Sequence, residues 1–143
     1  MTESIPVDFT PTYRALLGEA HNMHLYLVGA GGTGSALADA LARLVYHARQ
    51  KGMDISLTII DPDVISEANL GRQRFCQAEV GYEKSISLSL RLNAAFGLDI
   101  RAIPASFQPE MVLKTGYSPY HFSNNTTKKL IIGAVDNHEA RQS

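Results

Sequence analysis

Residues 24–34 read HLYLVGAGGTG. The run His24, Leu25, Tyr26, Leu27, Val28 is apolar enough for an extended, buried strand, and Gly29, Gly31, Gly32 and Gly34 follow it at once. Ser35 to Val45 then carries a helical period, predicting Leu37, Leu41 and Leu44 on one face. Strand, glycine turn and helix start together make a site for phosphate, because the unpaired N–H groups of the first helical turn and the positive end of the helix dipole face the anion. Gly29, Gly31 and Gly34 also satisfy G-x-G-x-x-G in the strand-then-helix context that the motif requires. Taken alone, the turn suits a dinucleotide or ATP equally, and a purely structural tight turn is the alternative.

Length and composition bound the rest. A chain of 143 residues predicts one domain, and 45% hydrophobic against 19% charged residues provides for a packed core rather than disorder. A formal net charge of −1 argues against broad nucleic-acid binding. Pro6, Asp8 and Pro11 interrupt the first 23 residues, so no secretory leader is expected, and no apolar run approaches a membrane span. The single cysteine, Cys76, excludes an intrachain disulfide or a four-cysteine zinc site within these residues, and a cytoplasmic, reducing setting is the default expectation.

Taken in order, residues 1–23 read as an extended arm and a short helix from Tyr13 to Ala20 containing Arg14, and residues 24–143 as the nucleotide-binding domain. The first helix is expected from Thr33 or Gly34 to Gln50, stopped by Gly52. Ile55 to Ile60 reads as a second strand, and Asp61-Pro62-Asp63 ends it. Asp61 thereby falls on the carboxyl edge of a parallel sheet, where an acid can accept the ribose hydroxyls; the competing reading is a turn-forming aspartate before proline. Asp63 reads as a cap or turn residue. Residues 64–83 show no clean period and carry Asn69, Arg72, Gln73 and Arg74. Ile86, Leu88, Leu90 and Leu92 alternate like a strand, yet length and the exit at Gly97 favour a helix from Lys84 to Phe96. A third strand over residues 99–103, a short helix after Pro109 and a strand over residues 130–135 follow. Between the last two, Tyr117, Tyr120 and Phe122 read as packing residues. Residues 137–143 look like the opening of a helix, so the chain reads as the first part of a larger domain.

Four segments then coincide: GAGGTGS at 29–35, DPDVISEANLGRQRF at 61–75, VGYEKS at 80–85 and AVDNHEAR at 134–141. In order and spacing they resemble the ThiF/MoeB/HesA family, the bacterial relatives of ubiquitin-activating enzymes. That pattern is an aspartate at a strand end, D-x-V, N-L-x-R-Q, V-G-x-x-K and a later D-N-x-x-x-R. The resemblance runs from residue 24 to 141 and is poor over 105–129.

The resemblance implies a Rossmann-like three-layer α/β domain with a mainly parallel sheet, here its N-terminal part, and an ATP-dependent adenylyltransferase activity. Its carboxylate substrate would be the C-terminal glycine of a ubiquitin-like or sulfur-carrier protein, and a homodimer is the family expectation. Carried over by position, Gly29, Gly31, Gly32 and Gly34 would contact nucleotide and Asp61 would hold the ribose. Arg72 and Lys84 would hold phosphates, Asn69 and Gln73 would belong to the same segment, and Asp136 would bind Mg2+. These residue types suit the chemistry: a carboxylate attacking the α-phosphorus needs its repulsion relieved and the departing pyrophosphate stabilised, but no activating base. Cys76 lies within the arginine-bearing segment and reads as non-catalytic. Arg14 lacks the glutamine that follows the corresponding arginine in relatives, which leaves its role open. An NAD-dependent oxidoreductase would share the glycine turn and Asp61 but not the set Arg72, Lys84 and Asp136; a catalytically inactive subunit of the same fold would share them all.

Overall fold

A computed structural model of the chain describes residues 22–113 and 127–136. The expectations for the N-terminal arm up to residue 21, Arg14, the three aromatics at 117, 120 and 122, and residues 137–143 lie outside them. The elements run β1 (Asn22–Val28), α1 (Gly32–Gln50), β2 (Asp54–Ile60), α2 (Lys84–Phe96), β3 (Arg101–Ile103), α3 (Glu110–Leu113) and β4 (Lys128–Gly133). The four strands form one sheet in the order β3-β2-β1-β4, and every pairing is parallel.

Alternation along the strands divides the core between the two faces. Leu25, Leu27, Ile55, Leu57 and Ile59 point to one side, where they pack with α1 and α2. Tyr26, Val28 and Ile60 point to the other, where Val112 of α3 meets them. Complete burial of a side chain such as Leu27 or Ile59 contributes about 2 kcal/mol. The first three strands step outward in one direction with their connecting helices on one face. Helix α3 lies on the opposite face, and β4 pairs with the other edge of β1, the placement that right-handed crossovers require. The direction of travel therefore reverses between β1 and β4, the position at which doubly wound sheets open a crevice at their carboxyl ends.

Three expectations shift in detail. On α1 the buried stripe is Ala38, Leu41, Ala42, Val45 and Ala48, while Leu44 is 51% exposed. Alanines let this helix lie close to the sheet, and that rotates Leu44 out of the predicted apolar face. The third strand starts at Arg101 rather than at residue 99, because the Asn93 amide on α2 accepts from the Ile100 N–H (2.7 Å) and donates to the Ile100 carbonyl (3.0 Å). The fourth runs Lys128–Gly133 rather than 130–135, since it pairs with β1 from Met23 to Val28 and Gly29 then leaves strand geometry at φ +101°. Helix α2 matches its predicted limits, and Gly97 closes it in the left-handed conformation (φ 64°). Among the described residues no helix is long and apolar enough to cross a membrane.

Candidate nucleotide site

The glycine turn is built by close approach of three backbones. The Gly29 N–H donates to the Ile60 carbonyl (2.8 Å), and a Cβ at Gly29 would lie 2.6 Å from the Ala134 carbonyl oxygen. A Cβ at Gly34 would lie 1.9 Å from the Gly29 oxygen. These two glycines therefore let the end of β1, the start of α1 and the residue after β4 meet. Helix α1 begins at Gly32 with no side-chain cap and no acid in its first turn. Its leading N–H groups and dipole are left for an external anion.

Asp61 follows β2 directly and is buried. Its Oδ2 accepts the Ala30 N–H (2.6 Å) and its Oδ1 accepts the Asp63 N–H (2.8 Å). Burial holds this carboxyl above its ordinary pKa, while the two backbone donors work in the opposite direction. Asp61 thus ties the glycine turn to the end of β2, and each oxygen retains a further lone pair for a ligand hydroxyl.

The stretch from Val64 to Glu83, which has no sequence period, contains two single 3₁₀ turns, Glu67–Asn69 and Gln77–Glu79, and an isolated antiparallel bridge between its end residues. Asn69 is buried, and its Oδ1 accepts both the Ser66 N–H (2.9 Å) and the Ser66 hydroxyl (3.1 Å). Only its amide NH2 stays available, as a donor. The Arg72 carbonyl packs against Gly32. Its guanidinium is exposed and has no hydrogen-bond or ion-pair partner among the described residues. Gln73 reaches toward Gly31, and its Oε1 is buried without a partner. Lys84 is only 5% exposed; its Nζ lies 3.3 Å from Asp63 Oδ2, and its N–H donates to the Asp63 carbonyl (2.9 Å).

These pieces enclose a cavity of about 600 Å³ at the reversal point, with Gly29, Gly31, Asp61, Gln73, Lys84 and Asp136 in its wall. That volume is in the usual range for small-ligand sites. Gly32, Gly34, Asn69 and Arg72 stand outside the wall. Gly34 serves the packing of the turn, whereas Arg72 is carried on the segment beside it. Sequence reasoning missed Asp63, Ser106 and Phe107, which also line the cavity. The D-x-D spacing and the position just after β3 were the available signals for them. Cys76 is exposed and lies outside the wall. Among the described residues no three His, Cys, Asp or Glu side chains gather as a metal cluster. Asp136 is nonetheless an exposed carboxylate at the cavity wall, which fits an ion that takes one protein ligand and completes its shell with phosphate oxygens and water.

Comparison with known proteins gives this arrangement its lineage. The model of the ThiF family matches residues 9–143. The chain belongs to the ThiF family. This ThiF-family chain is 30% identical over 139 residues to human ubiquitin-like modifier-activating enzyme 6, a match covering 90% of the chain and 12% of that enzyme. The mouse counterpart is 31% identical over 132 residues. Among solved structures, TcdA (CsdL) superposes with a TM-score of 0.61 at 25% identity, covering 85% of the chain and 44% of TcdA. The Escherichia coli tRNA N6-threonylcarbamoyladenosine dehydratase TcdA in complex with AMP gives 0.59 at 26%, covering 82% of the chain and 42% of that protein. The chain thus spans about an eighth of the length of these curated relatives and under half of the solved ones. Its fold is the Rossmann-like α/β fold of adenylyltransferase-type members.

Proposed function

We propose that this chain is the nucleotide-binding portion of an ATP-dependent adenylyltransferase that activates a carboxylate. The observation that carries the reading is the cavity itself: Asp61, Gln73, Lys84 and Asp136, from four separate segments, line one space at the start of an uncapped 19-residue helix. Residues 24–143 form the adenylating portion in this reading. Asp61 accepts the ribose hydroxyls, and the first turn of α1, the Asn69 amide, Arg72 and Lys84 donate to the phosphates. Gln73 contacts substrate or phosphate from the same segment. Lys84 and Arg72 disperse charge as the substrate carboxylate bonds to the α-phosphorus and the bond to the pyrophosphate oxygen breaks. Asp136 holds Mg2+, which supplies further neutralisation of the phosphate oxygens.

The substrate in this reading is the C-terminal glycine of a ubiquitin-like or sulfur-carrier protein, supported by the likeness to a ubiquitin-like modifier-activating enzyme. The chain works as a homodimer in the cytoplasm. A tRNA-borne substrate is the second reading, favoured by the likeness to the dehydratase whose name specifies a tRNA nucleoside. ATP–pyrophosphate exchange tests both: a peptide ending in glycine should stimulate exchange and tRNA should not. The reverse result selects the second reading. Selective binding of NAD over ATP would refute both.

A further inference from the structure

The segment that carries Arg72 and Gln73 has little secondary structure of its own, yet it is fastened between two helices at one residue. The Arg74 N–H donates to Ser35 Oγ on α1 (3.1 Å), and the Arg74 carbonyl accepts from the Arg91 guanidinium on α2 (2.6 Å). Arg91 also donates to both Glu79 oxygens (2.9 Å each), and its guanidinium lies 5.9 Å from the centre of the buried Phe75 ring. Glu79 in turn accepts from the Ser87 hydroxyl and the Cys76 N–H (2.7 Å each). One guanidinium thereby grips the segment at three places while Ser35 holds it from the other side.

None of these groups lines the nucleotide cavity. We infer that Arg91 and Glu79 form a clasp that positions Arg72 and Gln73 over the start of α1, making Arg91 a positioning residue for the phosphate end of the nucleotide. The inference rests on the reading of the cavity as an ATP site and names what holds the Arg72–Gln73 arm in register. The two ends of the guanidinium divide the work: Nη1 sits between both Glu79 oxygens and Nη2 reaches the Arg74 carbonyl, so the planar group fixes direction as well as distance through charge-assisted hydrogen bonds. Release of the clasp would free the backbone next to Gln73 and Arg72, while Asp61, on a different segment, would keep its own hydrogen bonds.

The test uses the full chain and compares binding of ATP and adenosine by calorimetry. Arg91→Gln and Glu79→Gln are each expected to weaken ATP binding by about tenfold, the order expected when a binding group loses its alignment. Adenosine binding should stay within about twofold, since adenosine makes no phosphate contacts. Arg91→Lys, which keeps the charge without the fork, should fall between wild type and Arg91→Gln and guards against a variant that fails to fold. Arg43→Gln, on the exposed face of α1, should leave both affinities unchanged. A lowered melting temperature with unchanged ATP affinity, or an equal loss for ATP and adenosine, would overturn the clasp alone. A wild-type chain that does not prefer ATP to adenosine would overturn the ATP reading and the clasp with it.

Discussion

The two walls of the cavity are built on different principles. The turn from Gly29 to Gly34 is held by backbone proximity: it leaves no room for a Cβ at Gly29 or Gly34, and its side-chain ties, from Asp61 and Ser35, come from buried residues. The arm from Asn69 to Lys84 adds to its own backbone turns a set of side-chain ties, several of them at the surface, through the Ser66–Asn69 cap and the Arg91–Glu79 clasp. Sterics neither titrate nor screen, whereas ion pairs and carboxylate hydrogen bonds do both. The difference teaches that the glycine turn and the charged groups proposed to act on phosphate should respond to different perturbations.

The largest effect expected is on the turn. Gly34→Ala places a methyl group against the Gly29 oxygen and should cost about 3 kcal/mol or more, read as a collapse of the urea midpoint. A well-folded Gly34→Ala chain would break the comparison. Next come the charged groups of the arm and the cavity edge. Lys84→Met and Asp136→Asn should each lower pyrophosphate exchange by roughly 100-fold while the melting temperature stays close to wild type. A parallel loss of stability would show that they belong to the scaffold.

A third prediction separates the walls by pH. Glu79 is pulled below its ordinary value: burial raises it, but the hydrogen bonds from Ser87 and Cys76 and the Arg91 charge outweigh that. Its folded pKa being depressed, its contribution to stability is present above its ordinary value of 4.5 and is lost as pH falls through the folded value. Glu79→Gln should therefore flatten the acid limb of the stability profile below pH 4.5. His24, under the sheet, is lowered from 6.5 by burial and then by Arg101 and Lys129, so its contribution is present above 6.5 and declines below it. Asp61 has the opposite sign: with its folded pKa raised by burial, its contribution is present below 3.8 and is lost as pH rises through the folded value. Denaturation profiles of Glu79→Gln and Asp61→Asn across acid pH check both signs. The smallest effect belongs to Asp39–Arg43, an exposed pair on α1. Asp39→Ala should change stability by about 0.5 kcal/mol or less, measured by urea denaturation.

The same contrast explains what the amino-acid order made legible. Gly29 to Gly34 and Asp61 could be read because their demands are local: a strand end, a helix start and an acid at a sheet edge announce themselves within a few residues. Helix α2 could be read despite its alternating leucines because Gly97 fixed its end. What stayed hidden depends on contacts distant in sequence. Asn93 removes residue 100 from the ladder and shortens β3, and small residues turn α1 so that Leu44 faces solvent. The ties among Ser35, Arg74, Glu79 and Arg91 join three segments whose sequences carry no common period. Lys84 was singled out by resemblance; its close pairing with Asp63 became visible only with the Val64–Glu83 bridge.

The fourth strand gives the site a timetable. Gly29 presses against Ala134, and Val28 pairs with Gly133, so the last wall is supplied by nearly the final described residues of the chain. During synthesis the first two strands and their helix can assemble early, because their contacts are near in sequence. The remaining wall must wait for β4, far along the chain, to reach β1. Occupancy by nucleotide would therefore register the docking of β4, and a chain still emerging from the ribosome would be blind to ATP until that strand had paired with β1.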